Sequence, residues 1–127
     1  MKKLLGIDYG TVKIGLAIAD DQMKMAVPYK IIKEADLQQQ LVLIKKIIDS
    51  EDINEIVVGL PKKLNNDATE QTAITERFIE TLKSFDLPVY DADERLTSQA
   101  AQQQGIVEDD AVAAMYILQS YLDRHYV

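Results

Sequence analysis

Residues 4–19 read LLGIDYGTVKIGLAIA, two short apolar runs parted by a glycine-bearing turn. The first run, 4–7, stops at Asp8-Tyr9-Gly10. The second, 13–19, sets Ile14, Leu16 and Ile18 against smaller residues with the two-residue period of paired strands. Gly10 and Gly15 are read as flanking the turn between them. A third extended stretch, 25–32, contains Pro28, which lacks a ladder donor and suits an edge strand. The opening third therefore predicts an antiparallel three-strand meander.

Working outward, the period changes at Asp36. Leu37, Leu41, Ile44 and Ile48 recur at helical spacing, with Gln38, Gln39, Lys45 and Lys46 between them, which predicts an amphipathic helix. Residues 54–60 carry the almost continuous apolar run EIVVGL, bounded by Pro61. Such a run belongs inside a sheet with both faces covered, parallel to the first strand. After a polar stretch at 62–68, residues 69–85 read as a second helix with Phe78, Leu82 and Phe85 on one side, ended before Pro88. A fifth strand over 89–91, a short helix over 96–104 stopping at Gly105 and a last helix over 109–124 complete the order β-β-β-α-β-α-β-α-α, an α/β chain.

The 127 residues suit one domain spanning 1–127, and no internal repeat or linker-like stretch divides them. No apolar run approaches the roughly 20 residues that span a bilayer, and Asp8 interrupts the N-terminus too early for a secretion signal. The expectation is a cytoplasmic protein without a membrane partner. Having no cysteine, the chain has no disulfide, thiol nucleophile or thiolate zinc site, so any metal must be held by oxygen. Its net charge of −7 opposes general binding to polyanions, because phosphate affinity comes from Lys and Arg. A nucleic-acid enzyme of this charge needs its basic residues gathered locally.

In open α/β sheets ligands collect at the carboxyl ends of parallel strands, here near Asp8, Gly59 and Asp93. Asp8 ends its strand just before a glycine turn, where its carboxylate either meets a ligand or bonds turn amides. Asp91, Asp93 and Glu94 crowd beside Arg95. Three acids repel one another unless a cation lies between them, the plainer reading being a solvated loop with one ion pair. Asp109 and Asp110 precede the last helix, where an acid can cap free amides. Phosphodiester cleavage gives a reason for acids drawn from three elements, Asp8, Glu94 and Asp110. Mg²⁺ or Mn²⁺ takes hard carboxylate oxygens, which are ionised at neutral pH. Lys13, Lys62, Lys63 and Arg95 could position phosphates, with Thr11, Asn65, Asn66 and Thr97 adding polar groups. His125, near the C-terminus, is given no chemistry, and Tyr116 and Tyr121 are read as core packing.

Taken together, Gly6-Ile7-Asp8-Tyr9-Gly10-Thr11, Val58-Gly59-Leu60-Pro61, Asp93-Glu94-Arg95-Leu96-Thr97 and Asp110-Ala111-Val112-Ala113-Ala114 resemble the YqgF family, also called RuvX. The likeness extends through Ile117-Leu118-Gln119-Ser120-Tyr121-Leu122-Asp123 and so covers essentially the whole chain. That family is RNase H-like and is described as Holliday junction resolvases and as nucleases for the 5′ end of pre-16S ribosomal RNA. The resemblance implies a mainly five-stranded mixed sheet with helices on both faces. It also implies that Asp8, Glu94 and Asp110 are the catalytic, metal-binding acids, with Asp93 a further candidate. The implied partner is nucleic acid, either pre-rRNA or branched DNA, and junction resolution would require a homodimer because it needs two active sites. Three departures stand out: residues 98–109 contain no Lys or Arg where the family usually carries a longer basic connector, Lys13 stands where arginine is frequent, and Asn66-Asp67 occupies a turn where glycine is common.

Two other classes compete. A non-catalytic RNA- or protein-binding factor of ribosome biogenesis or transcription would explain the missing basic connector. The Asp8-Tyr9-Gly10-Thr11 turn also resembles the first phosphate loop of actin-like and sugar-kinase ATPases, which need a second lobe that 127 residues do not supply.

Overall fold

The computed structural model describes residues 1–60, 70–93 and 109–126. Strand β1 (Lys3–Tyr9) pairs antiparallel with β2 (Lys13–Asp20), and β2 antiparallel with β3 (Val27–Lys33), so the predicted meander is present. Strand β4 (Glu55–Leu60) runs parallel to β1 and is buried along its whole length, as its unbroken apolar sequence requires. Strand β5 (Val89–Asp93) is parallel to β4, giving the mixed order β3-β2-β1-β4-β5. β3 is an edge strand, as Pro28 indicated, and its register slips beside Pro28 where Leu16 gives way to Ala17 in β2.

Strand alternation divides the core between two faces. Leu5, Ile7, Ile14, Leu16, Ile56 and Val58 pack with helices α1 (Leu37–Glu51) and α2 (Glu70–Leu82) on one side. Leu4, Ala17 and Val57 pack with Ala114, Ile117, Leu118 and Leu122 of α3 (Asp110–His125) on the other. Helices thus cover both faces of the sheet. The Asp36 side chain caps α1 by accepting from the Gln39 amide at 3.1 Å, and Asp52 ends the helix in the left-handed region at φ 54°.

Four sequence readings change. The buried stripe of α1 is Gln40, Ile44, Ile47 and Ile48, while Leu37 is 39% exposed. Ile44 and Ile48 set the stripe and Gln40 lies one turn before Ile44 on it; Leu37 falls on the same side by rotation but opens the helix, at its exposed end. The second helix ends at Leu82, followed by a 3-10 turn at Lys83–Phe85. Gly15 lies within β2, not beside the turn. β5 continues to Asp93, two residues past the strand expected over 89–91. The short helix expected over 96–104 lies outside the described residues.

Candidate active site

The site begins with the alternation along β1. Leu5, Ile7 and Tyr9 face α1 and α2, leaving Leu4, Gly6 and Asp8 to face α3. The helix can lie this close only because the strands beneath it lack side chains at two points. A Cβ on Gly6 would stand 2.7 Å from the Leu118 Cβ. A Cβ on Gly15 would stand 1.8 Å from the carbonyl oxygen of Asp110, inside any allowed contact. Gly15 is the direct cross-strand partner of Asp8, and partners of an antiparallel pair share a face with Cα atoms about 5 Å apart. The fold therefore brings Asp8 and the first residue of α3 to one place, although 102 positions of sequence separate Asp8 from Asp110.

The two acids before α3 divide the roles that the sequence left open. Asp109 is the cap, its carboxylate accepting from the Val112 amide at 2.8 Å. Asp110 is the first helical residue and is half-buried against the sheet. The amide dipoles at a helix N-terminus favour negative charge there, which suits a nearby phosphate oxygen.

The turn after Asp8 is held from the other face. Gln40, fully buried in α1, donates through Nε2 to the Glu34 carbonyl at 2.6 Å and to the Thr11 carbonyl at 3.3 Å. Its Oε1 accepts from the Tyr9 hydroxyl at 3.4 Å. The Tyr9 ring stacks on Phe78 with centroids 3.9 Å apart, and burial pushes its phenol above the usual tyrosine range. Gln40 was not singled out in the sequence. Its position four residues before Ile44 was the available signal.

Strands β1, β4 and β5 finish side by side at the edge marked by Tyr9, Leu60 and Asp93. Val58 is paired with both Ile7 and Asp91, and Gly59 with Ala92 one step further on. Asp91 belongs to the α2 side, where it lines a 690 Å³ groove with Leu60 and Arg77, so it is turned away from Asp8. Asp93 holds the register position opposite Leu60. Glu94, Arg95, Thr97, Lys62 and Lys63 lie outside the described residues. Thr11 and Lys13 are exposed on and beside the turn that follows Asp8. Among the described residues no three acidic or histidine side chains form a group able to hold a metal ion; the fold sets Asp8 beside the start of α3. No helix of the described residues is long and apolar enough to cross a membrane. His125 closes α3, its ring 4.4 Å from that of the buried Tyr121.

The sheet order, with a last helix laid across β1 and β2, defines an RNase H-like α/β protein. The chain superposes on Thermus thermophilus RuvC in complex with a Holliday junction substrate with a TM-score of 0.68, at 14% identity and over 98% of this chain and 95% of that one. For Thermus thermophilus RuvC alone the TM-score is 0.65 at 13% identity, over 96% and 95% of the two chains.

Residues 2–124 match the family model described as "RuvX: Holliday junction resolvase", and the chain belongs to the RuvX family. The chain is 37% identical over 131 aligned positions to a protein of Rickettsia rickettsii (strain Sheila Smith) named "Putative pre-16S rRNA nuclease", covering 94% of this chain and 85% of the relative. A protein of the same name from Rickettsia bellii (strain OSU 85-389) is 39% identical over the same shares. Membership of this nuclease family makes the chain a hydrolase of phosphodiester bonds.

Proposed function

We propose that this chain hydrolyses nucleic-acid phosphodiesters with Asp8, Glu94 and Asp110 as the acids of the site, and that its substrate is the 5′ end of pre-16S ribosomal RNA. The observation that carries the reading is the contact between Gly15 and Asp110, which sets the start of α3 beside Asp8. The names of the Rickettsia relatives support the RNA substrate.

Carboxylates gathered at one site repel each other unless a cation lies between them. Asp8 and Asp110 both offer hard oxygens and both stand at a sheet edge that a ligand can reach. That donor set fits Mg²⁺ or Mn²⁺, held by Asp8 and Asp110 with Glu94, while Asp93, paired with Leu60, shares the face of Asp91 and is not among the ligands. When bound, the ion supplies Lewis acidity toward a phosphoryl oxygen and lowers the pKa of a coordinated water. The protein contributes geometry. Asp109 fixes the first turn of α3, Gly15 lets Asp110 approach the sheet, and Gln40 with Tyr9 holds the turn that follows Asp8. Lys13, exposed beside that turn, supplies a point charge for a phosphate, with Thr11, Lys62, Lys63, Arg95 and Thr97 as further substrate contacts.

A second substrate, a branched DNA junction, is favoured by the family's description as Holliday junction resolvases. It would need a homodimer to present two sites. A pre-16S rRNA fragment and a four-way DNA junction, incubated side by side with Mg²⁺ and Mn²⁺, separate the two. We expect cleavage of the RNA by the unaltered chain and none by Asp8→Asn, whose folding stability stays within about 0.5 kcal/mol because the acid is not part of the core. Equal cleavage by Asp8→Asn would overturn the mechanism. Binding without cleavage by the unaltered chain would make it a non-catalytic RNA-binding factor, the reading that the absence of Lys and Arg from 98–109 favours.

A further inference from the structure

Lys2, Lys3, Lys45 and Lys83 are tied up in ion pairs. Lys13, Lys30, Lys33 and Lys46 hold no ion pair among the described residues, and all four are exposed at one edge of the sheet. Lys13 and Lys33 are direct cross-strand partners. Strand alternation puts them on the face of Gly15 and Ile31, hence of Asp8, a two-residue step of about 7 Å beyond the Asp8–Gly15 row. Like charges directly opposite each other destabilise a strand pair. The adjacent acid, Glu34, is turned to the start of α1, its carboxylate accepting from the Asp36 amide at 3.1 Å. At the same edge a groove of 400 Å³ between β3 and α1 is lined by Lys30, Lys33 and Lys46, alongside Tyr29 and Ser50.

A chain of net charge −7 has no general attraction for a polyanion, so a local run of unpaired lysines reaching from the Asp8 face onto α1 sets where one could lie. Lysines are point charges on flexible stems. They suit phosphates at variable spacing and carry no base readout. We propose that the edge formed by β3 and α1 is a second nucleic-acid contact, gripping backbone phosphates that flank the phosphodiester cleaved at Asp8. The proposal rests on the nuclease reading, and it requires a substrate that extends past the site toward β3.

The test is a salt titration of binding by the full chain, in EDTA so that nothing is cut, to an RNA hairpin and a four-way DNA junction. The triple variant Lys30→Gln, Lys33→Gln, Lys46→Gln changes only exposed side chains and should fold normally. Its log K against log salt should be shallower by about 2 units, with affinity lowered roughly tenfold for RNA and DNA alike. Lys24→Gln with Lys83→Gln, both away from this edge, should leave slope and affinity unchanged. A triple variant with the slope of the unaltered chain overturns the proposal and leaves the free edge of β3 to a protein strand. That result leaves the nuclease reading standing if Asp8→Asn still loses cleavage. No binding at all by the unaltered chain overturns both.

Discussion

At position 15 a single methyl group would collide with the helix that carries Asp110. Glycine is needed there for space, since an added Cβ would lie within bonding range of a backbone oxygen and a backbone atom of a packed helix has nowhere to swing. Gly15→Ala should therefore push the start of α3 off β2. We expect a loss of about 1–3 kcal/mol in urea unfolding, typical of overpacking, and a fall in cleavage of roughly a hundredfold, because small displacements of paired reacting groups cost that much. A variant with full activity and unchanged stability would show that the approach of α3 does not set the site. In the sequence Gly15 read as part of a turn. Its role could not be seen there, because it depends on which helix crosses the strand.

The elements meet at Gln40. This side chain joins α1 to the β1–β2 turn and to the end of β3, with partners on Tyr9, Thr11 and Glu34. Gln40→Met keeps the length and removes the polar end, leaving two carbonyls without their donor. The expected cost is about 1–3 kcal/mol, measured by denaturant unfolding, and a change under about 0.5 kcal/mol would mean that water replaces the amide. The elements themselves were largely legible, since strand alternation in 13–19, the unbroken run in 54–60 and Pro28 each has one structural reading. The facing of α1 was less so. Gln40 is buried where hydrophobicity would leave it outside, because a glutamine holding three backbone and side-chain partners satisfies a turn that leucine could not. Of the candidate site, the place of Asp8 at the end of a strand was legible. Asp109 and Asp110 could not be told apart until the helix start was fixed by the Val112 amide.

Across the molecule the sheet separates the end that carries Asp8 from an aromatic end. Far from Asp8, Tyr121 stacks with Tyr90 at 5.5 Å and is packed by His125 and Tyr126, while the buried Glu55 receives Lys2 at 3.0 Å and the Tyr126 hydroxyl at 3.0 Å. Burial first, then the Glu55 charge, pushes the Tyr121 phenol up to about 12. The unfolded chain releases that proton near pH 10, so below pH 10 this contribution to stability is complete, and it is lost as pH rises toward about 12. Tyr126 and Lys2, both raised, act in the same direction. Urea midpoints should fall between pH 9 and pH 11.5, and Tyr121→Phe should flatten that fall; an equal slope in the variant would contradict it. At the opposite end, the whole account rests on Asp8 and Asp110 sharing one cation. Mn²⁺ titration followed by electron paramagnetic resonance measures this directly. The unaltered chain should deplete the free Mn²⁺ signal, with affinity weakened at least roughly tenfold in Asp8→Asn and in Asp110→Asn alike. Undiminished Mn²⁺ binding by either variant would contradict a shared ion.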